Sequence, residues 1–383
     1  MEQLLEENDL HAILFCRPDS FSYFTTLPWY EWRFFAPNTS PNTPGNCPLP
    51  VSGYVTGHPE MAFGSASSQM DLPDFEAQGI WISDIRRMLR APYERHAEEI
   101  VKILNAKDVR SGRVGIERAS LPHGLISALD KVAPSIDWVE GEGIILKLQE
   151  FKCEEEVRRM ATSCQNTGKG IVKVLNHLAE GVTAEELMDI FVRSVAGLYA
   201  ERWGHFFCIH FGDNHFTGRE LKGARLEPGT LIHIDVTTIH KGLISDMGRN
   251  FYFGDSVPPE VERMSQACNE TVQTVFDRLR PGISCSEVDE LSKEVLFSHI
   301  GDAEGLHVGF HSHGIGWIMY DVPHVSMEPG PKGEILPGHA FTLEVKIKAP
   351  GIGHFKCEDT FVMRETGPEC LCDLERKLFV KSA

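Results

Sequence analysis

At 383 residues, with 42% hydrophobic and 24% charged side chains, the chain is long enough for two units with sizeable cores and too apolar to be disordered. A formal net charge of −18 argues against a nucleic-acid surface, which needs a basic stripe, and no run approaches the ~18 apolar residues that span a bilayer. No basic stretch followed by an apolar run opens the chain, so a cytoplasmic protein with reduced cysteines is expected.

Residues 1–150 read as a smaller α/β unit. Short apolar runs at 12–15, 53–56, 79–82 and 113–117 have strand character, while 93–105 and 122–132 have helical spacing. The segment 36–50, rich in Pro, Asn, Thr and Gly, reads as loop. Just before it, Trp29-Tyr30-Glu31-Trp32-Arg33-Phe34-Phe35 concentrates large rings, which suits a packed strand, an interface or a substrate wall. The boundary falls near 149–153.

Residues 151–383 open on a helix over 154–178, with Val157, Met160, Ala161, Cys164, Ile171, Val174 and Leu175 along one stripe. Gly181-Val182-Thr183 breaks it, and Thr183 with Glu186 has the capping-box spacing for a second helix over 184–199. A further helix pair covers 259–279 and 286–299. Between and after these pairs lie four carboxylates in strand-like surroundings: Asp235 in Leu231-Ile232-His233-Ile234-Asp235-Val236, Asp246 in Ile244-Ser245-Asp246-Met247-Gly248, Glu344 in Ala340-Phe341-Thr342-Leu343-Glu344-Val345, and Glu358 in Phe355-Lys356-Cys357-Glu358. Lys241-Gly242 supplies a turn that lets Asp235 and Asp246 face each other across a hairpin. Cys357 is expected on the far face of its strand, as a packing residue.

Four carboxylates gathered without cations repel one another and take up protons. With His313 they read instead as a hydrolytic centre for two divalent ions, and oxygen donors with one imidazole suit Mn, Fe, Co or Zn. The plain alternative leaves each carboxylate as a separate strand-edge or salt-bridge residue.

The succession Ile234-Asp235-Val236, Ser245-Asp246-Met247-Gly248-Arg249, Ser312-His313-Gly314-Ile315-Gly316, Phe341-Thr342-Leu343-Glu344 and Cys357-Glu358-Asp359-Thr360-Phe361-Val362 resembles the pita-bread metallopeptidase family. That family includes methionine aminopeptidase, Xaa-Pro aminopeptidase and prolidase, with creatinase as an altered relative. The resemblance covers about residues 155–372. It implies an α/β (α+β) protein with a C-terminal pita-bread fold over 151–383 and a creatinase-like N-terminal α/β domain over 1–150. It further implies that Asp235 binds one ion, that Asp246 and Glu358 bridge both, and that His313 and Glu344 bind the second. Glu344 would also shuttle the proton after a bridging hydroxide attacks the carbonyl.

The family histidine that precedes the first metal-binding aspartate is best matched by His215, with His210 as the alternative, and a second family histidine by His324 in Tyr320-Asp321-Val322-Pro323-His324. Both would stabilise developing charge. Creatinase-like relatives imply a homodimer, with Trp29 and Trp32 walling the partner's pocket. The implied substrate is a short peptide or small molecule, foremost an Xaa-Pro dipeptide, with no nucleic-acid or membrane partner. Two departures leave that substrate open: Glu344-Val345-Lys346-Ile347-Lys348 stands where the peptidases carry Glu-Pro-Gly, and Trp317-Ile318-Met319-Tyr320 is inserted near the pocket. A small-metabolite enzyme on the same scaffold is the alternative, resembling dimethylsulfoniopropionate lyase, creatinase or ectoine hydrolase. A non-catalytic binding protein is the third reading.

Overall fold

Every residue of β1 (Ala12–Phe15) is buried, so this apolar run is a strand covered on both faces. The computed structural model describes residues 1–26, 51–66, 81–87, 92–198, 202–213, 223–301, 303–327 and 330–383, and it divides into two units, Met1–Gln149 and Glu150–Ala383. The aromatic run 29–35 and the loop 36–50 lie outside the described residues.

In the first unit β1 pairs antiparallel with β2 (Val51–Val55) and parallel with β5 (Gly112–Ile116). With β3 (His58–Ala66), β4 (Asp84–Arg87) and β6 (Ile136–Glu140) they form a six-stranded mixed sheet ordered β4-β3-β2-β1-β5-β6. Strand alternation splits β1 between two cores. Ala12 and Leu14 join Ile100, Leu104, Leu125 and Leu129 of helices α3 (Tyr93–Ala106) and α4 (His123–Val132). Ile13 and Phe15 join Leu5, Phe24, Ile144 and Ile145 from α1 (Glu2–Glu7), α2 (Pro18–Thr25) and α5 (Glu142–Glu150).

Of the strand expected at 79–82, residues 79 and 80 lie outside the described residues. Residues 81–83 are not strand, and β4 begins at Asp84, which pairs parallel with Phe63 of β3. Trp81 is held differently: its Nε1 donates to the Phe24 carbonyl at 2.5 Å and its ring meets that of Phe24 edge-on. Aromatic packing on α2 decides this segment over strand propensity.

The second unit carries a sheet ordered β11-β13-β14-β9-β8-β7: β7 (Arg202–Phe211), β8 (Thr230–His240), β9 (Leu243–Phe253), β11 (His307–Phe310), β13 (Ala340–Ala349) and β14 (Gly353–Arg364). Two short strands, β15 (Gly367–Cys370) and β16 (Phe379–Lys381), attach to β14 and β9, and β10 (Ile283–Ser284) pairs apart with β12 (Glu334–Ile335). Helices α6 (Glu154–Asn176) and α7 (Ala184–Ala196) cover β8 and β9, with Ile171, Val174 and Phe191 against Ile232, Ile234, Val236 and Met247. Helices α8 (Pro259–Arg278) and α9 (Cys285–Ile300) cover β13 and β14, with Met264, Val272 and Val288 against Leu343, Val345, Phe355 and Cys357. Each such side chain contributes about 1.5–3 kcal/mol on burial. The capping box at Thr183 is formed: Glu186 N donates to Thr183 Oγ1 at 3.2 Å and Thr183 N to Glu186 Oε2 at 2.8 Å.

These helices take one face of the sheet. Because Asp235 alternates with Ile234 and Val236, and Glu344 with Leu343 and Val345, the carboxylates are left on the other face. No helix among the described residues is long and apolar enough to cross a membrane.

Candidate metal centre

The β8–β9 hairpin turns on Lys241 and Gly242, at φ 48° and 84°. Two left-handed residues in a two-residue loop match the right-handed twist of the strands they join. That turn sets the register, placing Asp246 opposite Thr237 and Asp235 opposite Gly248. The two aspartates are therefore diagonal neighbours, not the directly facing pair expected. Glu344 and Glu358 do face each other across β13 and β14, and Glu358 also lies opposite Gly248 on β9. Gly248 matters for its missing side chain, since a Cβ there would sit 3.0 Å from the methylenes of Lys356.

His313 enters from the segment before β13, where its N–H donates to Thr342 Oγ1 at 3.3 Å and its carbonyl accepts from Thr342 N at 2.7 Å. Its neighbour Ser312 accepts from Glu344 N at 2.9 Å, tying the imidazole strand to a carboxylate strand. His313 Nδ1 lies 2.9 Å from the Gly314 carbonyl. A carbonyl can only accept, so the ring proton sits on Nδ1 and the Nε2 lone pair is free. Nε2 points at Asp246 Oδ2 (3.8 Å) and Glu358 Oε1 (3.9 Å). These gaps are too long for hydrogen bonds, while ligands about 2.0–2.2 Å from one ion can lie up to roughly 4.4 Å apart. Gly314 is demanded by packing, because a Cβ there would come within 2.2 Å of the Val322 carbonyl.

Lys356 sets the electrostatics. It shares a strand face with Glu358 and is only 5% exposed; its ammonium pairs with Asp235, with Glu344 at 3.0 Å and with Glu358 at 2.7 Å. One cation does not balance four carboxylates. Burial, and then the charge of Asp235, push the Asp246 carboxyl well up from its ordinary value; burial, and then Asp246, do the same to Glu358. Asp235 is raised by burial despite Lys356. Glu344 goes the other way: burial raises it, but Lys356 and Lys346 together outweigh burial and bring it down to about 2. Burial lowers His313, keeping it neutral.

The donor set fits a divalent cation. Asp235 Oδ1, Asp246 Oδ1 and Glu358 Oε1 are buried without a hydrogen-bond partner, a state that costs a carboxylate oxygen about 1–3 kcal/mol or more unless a cation meets it. One donor atom each from Asp246, His313 and Glu358 lies within 4.8 Å of the others. These groups open on a cavity of about 110 Å³ whose wall includes His311, Met319, Tyr320 and Lys346.

The remaining sequence candidates are distributed unevenly. His215, Trp29 and Trp32 lie outside the described residues. His324 is half-buried, its carbonyl accepting from Lys332 N at 2.9 Å, and it is not among the residues lining the cavity. His210 is buried beside Cys208 and His233. Sequence reasoning missed Lys356 and left His311 without a role. Strand alternation carries the signal for Lys356, since it sits two residues before Glu358.

Comparison with known proteins agrees with this geometry. Residues 158–365 match the model of metallopeptidase family M24. The chain is 24% identical over 267 residues to an Xaa-Pro dipeptidase of Pyrococcus horikoshii, covering 69% of this chain and 74% of the relative. It is 21% identical over 379 residues to an Xaa-Pro dipeptidase of Pyrococcus furiosus, covering 98% and 97%. The solved structure of an Xaa-Pro dipeptidase from Bacillus anthracis superimposes with a TM-score of 0.80 at 17% identity, over 99% of this chain and 98% of that one. With over half its length matched by the family model and a metal-ready carboxylate face, the chain belongs to metallopeptidase family M24 and is a metal-dependent hydrolase on the pita-bread fold.

Proposed function

We propose that this hydrolase cleaves Xaa-Pro dipeptides with two divalent ions held by Asp235, Asp246, His313, Glu344 and Glu358. The observation that carries the reading is the His313 Nε2 lone pair aimed between Asp246 and Glu358, beside buried carboxylate oxygens that lack partners. By the family resemblance, Asp235 would hold one ion, His313 and Glu344 the other, and Asp246 and Glu358 would serve both. Four carboxylates against the ammoniums of Lys356 and Lys346 leave two negative charges, so the site calls for at least one divalent ion, and the second follows the family resemblance; with two ions bound the pocket is net positive. A net positive pocket, with Lys346 on its wall, suits the free carboxylate of a dipeptide.

When bound, such ions lower the pKa of water toward neutrality and polarise a carbonyl. The chain's own groups do the rest. Glu344 is ionised, because Lys356 and Lys346 outweigh burial, and the family resemblance assigns it the relay of a proton from the attacking water to the departing amine. His215 and His324 are assigned to stabilising the developing charge, with His210 as the alternative to His215. The experiment is a screen of Xaa-Pro dipeptides beside dimethylsulfoniopropionate, ectoine and creatine, with Mn, Fe, Co or Zn added to chelator-treated protein. Dipeptide turnover restored by metal is expected, and turnover of a metabolite alone would replace the peptidase reading. His215→Ala is expected to keep its metal and lose ~10²–10⁴ in turnover. If His210→Ala behaves so while His215→Ala matches the parent, the roles exchange.

We also propose a cytoplasmic homodimer, with residues 1–150 as a creatinase-like domain whose Trp29 and Trp32 close the partner's pocket. Mixing Trp32→Ala chains with Asp246→Ala chains should then restore part of the activity, because one of the two mixed sites has both parts intact. A monomer mass in sedimentation equilibrium, or no rescue despite subunit exchange, overturns it.

A further inference from the structure

The polar face of the second sheet holds another donor cluster that the hydrolytic reading does not use. Cys208 and His210, two apart on β7, share one side of the sheet, and register places them opposite Asp235 and His233 of β8. Cys208 Sγ lies 2.6 Å from His210 Nε2, and His210 Nδ1 lies 3.3 Å from His233 Nδ1. All three residues are buried, and one donor atom from each lies within 4.8 Å of the others. His354 of β14 adds a third imidazole, its ring centroid 4.9 Å from that of His210 and 6.3 Å from that of His233. His233 Nε2 is buried with no hydrogen-bond partner, although the residue is only 7% exposed.

An apolar core gives no reason for this composition. A thiol and three imidazoles at one place on a sheet bury polar nitrogen at a cost of about 1–3 kcal/mol for each unmet group. The set differs in kind from the carboxylate centre, one thiol and imidazoles against oxygen with a single imidazole. Softer donors of this sort favour zinc and neighbouring late transition ions over hard, oxygen-seeking ones.

We propose that Cys208, His210 and His233, with the His354 ring packed beside them, form a separate zinc-type metal site. His233 and Asp235 are two residues apart on β8, and His354 and Lys356 two apart on β14, so the imidazoles lie roughly 7 Å along the strands from the carboxylate centre, with Cys208, opposite Asp235, at the near end of the cluster. Binding is a metal-for-proton exchange: the Cys208 S–H bond breaks, a sulfur–metal bond forms, the proton leaves to solvent, and nothing is oxidised. An ion there fastens β7, at the edge of the sheet, to β8 and β14. It thereby braces the strand that carries Asp235 from the side opposite the helices.

Cobalt(II) and zinc distinguish this site from the carboxylate centre, which has no sulfur donor. Stripped full-length protein is reloaded with cobalt and its near-ultraviolet spectrum read for sulfur-to-cobalt charge transfer. The band is expected in the parent and in Asp246→Ala, and it is expected to vanish in Cys208→Ser and His233→Ala, with about one ion fewer per chain in each. Zinc-loaded Asp246→Ala protein is then measured by X-ray absorption. A sulfur shell at about 2.3 Å with nitrogens at about 2.0–2.1 Å is expected. The zinc spectrum keeps the test decisive if either cluster variant fails to fold. A band that survives in folded Cys208→Ser protein, or zinc coordinated by oxygen and nitrogen alone, overturns the proposal.

Discussion

Asp246→Ala is expected to abolish turnover, by more than the ~10²–10⁴-fold that loss of a positioned acid or base costs, and to release the tightly held metal. Asp246 contributes to the triad with His313 and Glu358, and its second oxygen is buried without a partner. The same change should not harm the metal-free fold. Burial first, and then Asp235, raise the Asp246 carboxyl in the folded chain. An acid raised by folding opposes the native state above its unfolded value of ~3.9, and the penalty grows as pH rises toward the folded value. Alanine removes that penalty. Chelator-treated Asp246→Ala should therefore melt at or above the chelator-treated parent at neutral pH, with the gap closing toward pH ~3. Calorimetry on the two stripped proteins reads this directly. Full activity in a variant that holds no metal would sink the assignment of Asp246, and a variant melting far below the stripped parent would trace the lost turnover to damage.

Arg249→Met carries the largest expected loss of stability, ~3–5 kcal/mol in chemical denaturation, the scale for breaking a buried ion pair. Arg249 is wholly buried, and its guanidinium donates to Asp359 Oδ1 at 2.6 Å, to the Leu374 and Glu375 carbonyls at 2.5 and 3.0 Å, and to the Glu358 carbonyl at 2.8 Å. Methionine fills similar volume but leaves those carbonyls unmet, and Asp359 keeps only Arg376, at 2.6 Å. Since one of the bonds fixes the backbone of Glu358, turnover should fall at temperatures where the variant is still folded. A loss below about 1 kcal/mol would show that the segment after β15 is held by other means.

How far the molecule is legible from sequence depends on whether the signal is local. Glu344 and Glu358 announce themselves because each alternates with apolar neighbours, and the helices at 154–178 and 259–279 because their stripes are long. The diagonal offset of Asp235 and Asp246 is less visible, since it follows from a two-residue turn whose length has to be known before register can be counted. Lys356 was within reach of the same alternation but stands out only once three carboxylates are seen around it. The cluster at Cys208, His210, His233 and His354 joins the consecutive strands β7 and β8 to β14, more than a hundred residues later in the chain, and only strand pairing and the position of β14 bring it together. Trp81 departs from the strand expected there for a comparable reason, because its side chain answers to α2 and not to its neighbours in sequence.

The one-sided arrangement of the second sheet also bears on how such an enzyme changes over generations. Ile234 and Val236 anchor β8 to its helices while His233 and Asp235 look away, and Phe355 and Cys357 do the same for β14 beneath His354, Lys356 and Glu358. Replacements on the outward positions alter donors, charge and pocket shape without opening a void in the core, so they escape the 2–5 kcal/mol penalties that truncating packed side chains incurs. Chemistry and foldability are thus inherited on alternate residues of the same strands. A lineage with this architecture can vary Lys346 and Lys348, or collect imidazoles at one end of a sheet, without disturbing the residues packed against the helices.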